Sequence, residues 1–80
     1  MKRVTLEYFA ALRDEAKCTT ETIETEADTL AMLYDDLAIA HGFSLPRARL
    51  RVAVNGAFSV WGRLPEDGDH IVFIPPVSGG

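Results

Sequence analysis

The chain has 80 residues, a net charge of −4 and a hydrophobic share of 48%. That allows one small core, since a domain of this size buries only about 60% of the surface its unfolded chain exposes. A single cysteine, Cys18, excludes an internal disulfide, and no apolar run approaches the roughly 20 residues of a membrane helix. The acidic balance disfavours nucleic acid and membrane lipid and leaves proteins as partners, while the lack of a charged start followed by an apolar stretch points to a cytoplasmic location.

Val4, Leu6 and Tyr8 alternate with Thr5, Glu7 and Phe9, the period of a half-buried first strand. The stretch ALRDEAK (11–17) offers strong helix formers but little length, and reads as a single helical turn or a connection. In TTETIETEA (19–27) Ile23 is the only large apolar group, which suggests an edge strand with a charged outer face. Leu30, Leu33, Tyr34 and Leu37 then stand at i, i+3, i+4 and i+7, one stripe of a helix over 29–41, begun by Asp28 or Thr29 as cap and ended by Gly42.

FSLPRAR (43–49) is a connection interrupted by Pro46. Arg47, Arg49 and Arg51 recur at every second position, which on a strand would set them side by side, as a solvated face or as a contact surface for an acidic partner. Leu50, Val52 and Val54 resume the alternation up to Asn55-Gly56, a pair that tolerates the positive φ angles of a type I′ turn, so Phe58 and Val60 belong to a returning hairpin strand. PEDGD (65–69) is a further turn. HIVFI (70–74) is apolar at nearly every position, as expected of a strand buried on both faces in the middle of a sheet.

The order β-β-α-β-β with its last strand central defines an α+β fold, a mixed sheet of four to five strands packed on one main helix, the ubiquitin-like β-grasp. Residues 1–74 make this domain and 75–80 an extended tail. Catalytic apparatus is hard to find. His41 and His70 lie far apart, Cys18 has no partner to suggest a metal site or an activated thiol, and Gly56, Gly62 and Gly68 fit no phosphate-cradling motif. His41 reads as a partner of the helix C-terminal dipole, His70 as an exposed side chain, Cys18 as a structural thiol, and Trp61 as either a lid on the core or a partner anchor. The carboxylates of Asp35-Asp36 and Glu66-Asp67-Asp69 read as helix surface and turn chemistry. No metal or cofactor is expected on the chain itself.

PPVSGG is the remaining signal. Pro75 and Pro76 cannot donate to a sheet ladder and fix φ, so they end the central strand and direct the chain outward. Val77 and Ser78 are small, and Gly79 and Gly80 lack a Cβ, giving a thin segment able to enter a narrow channel. Such a segment delivers its α-carboxylate, a poor electrophile until activated, for example as an acyl-adenylate. With no nucleotide-binding parts here, a separate ATP-using enzyme must activate it. The activated carbonyl could accept an amine or sulfide.

FAALR (9–13), AVNG (53–56), LPEDGD (64–69) and FIPPVSGG (73–80) together resemble the small, sulfur-carrying subunit of molybdopterin synthase, over nearly the whole chain. The resemblance implies that Gly80 is adenylated by an enzyme akin to ubiquitin-activating enzymes, becomes a thiocarboxylate, and gives its sulfur to cyclic pyranopterin monophosphate inside the large synthase subunit. This chain would then be a sulfur-donating subunit rather than the catalyst. Family docking positions match at Phe9, Arg13, Phe58 and Ile74. Read on their own, Phe9, Phe58 and Ile74 fit a core equally well, and Arg13 a solvated side chain. Pro75 to Ser78 argue against the sulfur carrier of thiamine biosynthesis, the nearest rival. A protein modifier conjugated through Gly80 and a plain interaction domain are the other readings.

Overall fold

The computed structural model describes residues 1–76. Strand β1 (Lys2–Tyr8) is followed by helix α1 (Ala10–Ala16), strand β2 (Thr20–Thr25), helix α2 (Leu30–His41), and strands β3 (Arg51–Val54), β4 (Ala57–Ser59) and β5 (His70–Ile74). They form one five-stranded sheet in the order β2-β1-β5-β3-β4. The last strand is central, parallel to β1 and antiparallel to β3, as its apolar sequence predicts. The architecture is the ubiquitin-like β-grasp, a mixed sheet against one main helix.

Alternation assigns the two faces. Val4, Leu6 and Tyr8 of β1, Val52 and Val54 of β3, and Ile71 and Phe73 of β5 point to one side, where they are buried with Leu30, Leu33, Tyr34 and Leu37 of α2. Leu6 lies opposite Ile71 and Tyr8 opposite Phe73, so the core is layered across the parallel pair. The Thr29 hydroxyl accepts from the Met32 N–H at 3.1 Å and Gly42 ends α2 in the left-handed region at φ 73°. Of the two cap candidates, Thr29 is the one used.

Three sequence expectations change. ALRDEAK belongs to a two-turn helix rather than a single turn, because fully buried Leu12 supplies tertiary anchorage and Lys17 closes the end with a left-handed conformation, its N–H donating to the Arg13 carbonyl at 2.9 Å. Arg47, Arg49 and Arg51 do not share a strand face. Residues 47–49 form a 3-10 turn, from which Arg47 pairs with Asp35 at 2.9 Å, and only Arg51 enters β3. Finally, β5 is fully buried on one face only, since Val72 and Ile74 look away from α2 and remain partly exposed.

The turns are sewn together by Asn55 and Asp69. Asn55, at φ 52°, and Gly56, at φ 88°, make the two-residue hairpin between β3 and β4. The Asn55 side-chain amide donates to the Asp69 carboxylate at 2.9 Å, and its carbonyl oxygen accepts from the His70 N–H at 2.9 Å. Asp69 is buried and also accepts from the Glu66 N–H at 2.8 Å, so the AVNG and PEDGD turns form one hydrogen-bonded unit. This unit fixes where β5 begins, and therefore where it ends.

Candidate functional site

The face of the sheet away from α2 carries the candidate site. Opposite pairs place Ala53 beside both Phe58 and Val72, and Arg51 beside Ile74. The extended backbone of Phe9 (φ −124°, ψ 154°) continues the alternation of β1, which puts it on the same face one position beyond the Tyr8–Phe73 pair, next to Ile74. Phe9, Ala53, Phe58, Val72 and Ile74 thus form an apolar patch across three neighbouring strands and the end of a fourth. Phe58 is 62% exposed and Phe9 42%, so neither is a core residue, and the choice left open by sequence falls on the side of a surface.

Local backbone holds the patch in place. Ala10 adopts φ 50°, a left-handed conformation costly for a residue with a Cβ, where the chain leaves β1 for α1. This abrupt turn follows Phe9, one residue past the end of β1, and leaves the ring at the rim of the sheet. Arg13 lies one turn further along α1, exposed, and among the described residues its one ion-pair contact is with Asp14 at 3.9 Å. Arg51 is the member that sequence reasoning did not assign to the site: its guanidinium sits 4.0 Å above the Phe58 ring, a cation–π contact that keeps a positive charge in the middle of the patch. Val72 was also missed, although the parity of HIVFI against its buried neighbours Ile71 and Phe73 identifies it, and Ala53, itself buried, was missed because RVAV carries no such contrast.

Strand β5 ends at Ile74, and Pro75 and Pro76 leave the sheet beside this patch. The tail therefore starts where Phe9, Arg51 and Ile74 converge. Val77, Ser78, Gly79 and Gly80, the residues expected to enter a partner and carry the reacting carboxylate, lie outside the described residues.

The other candidates resolve into structural roles. Trp61 stacks on Phe73 with centroids 6.0 Å apart and meets Tyr34 edge-on, so it is a lid on the core. His41, in the last turn of α2, contacts Glu21 at 2.8 Å, and His70 pairs with Glu7 at 2.9 Å. Glu21 also accepts from the Tyr8 hydroxyl at 2.8 Å; burial, reinforced by this carboxylate, pushes the Tyr8 phenol well above its usual range. Burial and then Glu21 push the Cys18 thiol up as well, the opposite of what an activated nucleophile needs. Among the described residues no group of three His, Cys, Asp or Glu side chains is placed to hold a metal ion, and no helix is long and apolar enough to cross a membrane.

The sheet order and the one main helix packed against it define a small ubiquitin-like domain. Known proteins narrow this. Residues 6–80 match the ThiS family model, and the chain belongs to the ThiS family. It is similar to a putative molybdopterin converting factor subunit 1 from Pyrococcus furiosus, with 26% identity and a TM-score of 0.78 over 96% of this chain and 100% of that one. SAMP1 from Haloferax volcanii matches with 25% identity and a TM-score of 0.77, over 98% of this chain and 99% of that one. Subunit 1 and 2 of a molybdopterin-converting factor from Helicobacter pylori are known as a complex, in which the matching chain is 25% identical with a TM-score of 0.67, over 98% and 99% of the two chains. The chain is accordingly a sulfur carrier or ubiquitin-like modifier, and the resemblance read from FAALR, AVNG, LPEDGD and FIPPVSGG holds at family level.

Proposed function

We propose that this chain is the sulfur-carrying subunit of a molybdopterin synthase. In this reading the Gly80 carboxylate attacks the α-phosphorus of ATP on an adenylyltransferase akin to ubiquitin-activating enzymes, releasing pyrophosphate. Sulfide then displaces AMP from the acyl-adenylate and leaves a thiocarboxylate. Sulfur is far more nucleophilic than the carboxylate oxygen it replaces, so the loaded tail can attack cyclic pyranopterin monophosphate in the active site of a large subunit. The catalysis and the nucleotide belong to the partners, and a cytoplasmic setting suits a carrier with one free thiol.

The observation that carries this reading is the apolar patch of Phe9, Phe58, Val72 and Ile74 at the point where Pro75 leaves the sheet. A partner seated there through Phe9, Arg13, Phe58 and Ile74 would receive Pro75 to Gly80 directly into its own site, without any movement of the domain. The Helicobacter pylori relative, found with its second subunit, supports a large partner of this kind.

Intact-protein mass spectrometry tests it. Incubation with ATP, a sulfur donor and a competent activating enzyme should exchange one oxygen for sulfur at Gly80, and adding the large subunit with cyclic pyranopterin monophosphate should discharge it. A carrier that loads but does not discharge would indicate the thiamine-pathway role. The similarity to SAMP1 favours a second reading, conjugation through Gly80 to lysines, which would appear as higher-mass adducts resistant to reductant.

A further inference from the structure

A second surface lies on the other side of the molecule, between the edge strand β2 and helix α2. Here an open groove of 690 Å³ is floored by Ile23, Met32, Leu33 and Leu37 and rimmed by Glu26 and Asp36. Met32 is 48% exposed although it borders the core, so the groove presents apolar area to solvent. Among the described residues Glu26 and Asp36 have no ion-pair partner; of the other carboxylates lining the groove, Glu24 meets Arg3 and Glu21 meets His41.

The backbone beside the groove is unpaired in a regular way. The Tyr8 N–H donates to the Thr19 carbonyl at 2.8 Å, and the β1–β2 pairing is antiparallel. With the two-residue repeat of such a ladder, Glu21, Ile23 and Thr25 turn their backbone groups toward β1, and Thr20, Thr22 and Glu24 turn theirs outward. No strand among the described residues pairs with that outer edge. An added strand would hydrogen-bond to Thr22 and Glu24, and its residue opposite Ile23 would place a side chain in the groove over Met32 and Leu37.

We propose that the β2 edge and the β2–α2 groove form a docking site for an extended, basic segment of another protein, with an apolar side chain opposite Ile23 and Lys or Arg two positions to either side, on the same face and toward the carboxylate rim. Charge selects this occupant. The groove rim and the strand edge are carboxylate-rich, and the whole chain carries −4, so a second copy, which would bring Glu24, Glu26 and Asp36 against their own counterparts, is repelled. The segment PPVSGG carries no basic side chain and does not match the rim. This site is separate from the patch at Phe58, so a partner holding the tail and a partner holding β2 can bind together.

A capped seven-residue peptide with isoleucine at its centre, lysine two positions to either side and threonine at the remaining positions is the probe, titrated into isotopically labelled protein and followed by NMR. Saturable shifts are expected at the Thr22, Ile23 and Glu24 amides and at the Met32 and Leu37 methyls. They should persist in Phe58→Ala and in a chain lacking Gly79 and Gly80. Glu26→Lys combined with Asp36→Lys, both at exposed positions, should weaken binding roughly tenfold. A peptide N-methylated at alternate positions keeps its charge and should not bind. The proposal is overturned if the N-methylated peptide binds equally well, since attraction would then be electrostatic only, or if a glutamate-for-lysine peptide does so. It is equally overturned by shifts confined to the Phe58 patch, by no saturable shift, or by sedimentation showing a dimer sealed through β2.

Discussion

The two faces of one sheet have the same backbone and opposite fates. On the covered face Val4, Leu6, Tyr8, Ile71 and Phe73 are wholly buried, and α2 closes over them. On the open face the same strands carry Arg3, Thr5, Glu7 and His70 toward one end and Val72, Ile74 and Phe9 toward the other, with Glu7 and Val72 side by side where the two meet. The polar end closes on itself through Thr5 with Thr22 at 3.3 Å and Glu7 with His70 at 2.9 Å. Among the described residues the only such contact at the apolar end of this face is Arg51 over Phe58. Burial on the first face supplies stability. On the second face, apolar side chains left in water are available for binding, and they cluster at the one place where the tail begins.

Substitutions on the two faces should therefore separate stability from docking. The largest loss is expected from Phe73→Ala, which removes a fully buried ring stacked on Trp61 and met edge-on by Tyr34: about 3–5 kcal/mol, enough to unfold much of a domain this size, read from urea midpoints. Asp69→Ala should cost about 2–3 kcal/mol in the same experiment, because the Asn55 amide and the Glu66 N–H lose their buried acceptor.

Tyr8→Phe is expected to cost about 1 kcal/mol near neutrality, where it removes only the hydroxyl's bond to Glu21. It should also change the alkaline limb. The folded-state pKa of Tyr8 is raised, so the stability it contributes is full below the unfolded value of about 10 and is lost as pH rises beyond it. Denaturation of the parent protein should steepen there, and that of Tyr8→Phe should be flatter. A parallel alkaline decline in both would show that Tyr8 is not the group responsible.

The smallest effect on stability should come from Phe58→Ala, at most about 0.5 kcal/mol for an exposed ring on an edge strand. Its effect on complex formation should be the reverse, at least tenfold weaker binding to the large subunit by calorimetry, since exposed aromatic anchors dominate such interfaces. Unchanged affinity would remove Phe58 from the docking surface. Together the four variants grade the sheet from a face that holds the fold to a face that uses it.

Legibility followed the range of the interaction concerned. The strand at Val4, Leu6 and Tyr8, the helix from Leu30 to His41 and the Asn55-Gly56 hairpin were each written in local patterns of period, cap and turn residue. Helix α1 was underestimated because its cap is Lys17, a residue with no cap signature, and its anchor is Leu12, whose burial depends on distant strands. Arg47 to Arg51 misled because a two-residue spacing implies a shared face only if the backbone is extended, and residues 47–49 coil into a 3-10 turn instead.

By itself, then, the sequence determined the first strand, the main helix, the Asn55-Gly56 hairpin and the family, because each is set by short-range sterics or by covalent identity. It did not determine whether Phe9, Phe58 and Ile74 are core or surface, nor that Arg51 joins them. Alternation states only that two side chains lie on opposite faces; which face is covered depends on where α2 packs. Only the tertiary fold, by laying that helix across one side, left the other side's apolar end exposed beside Pro75.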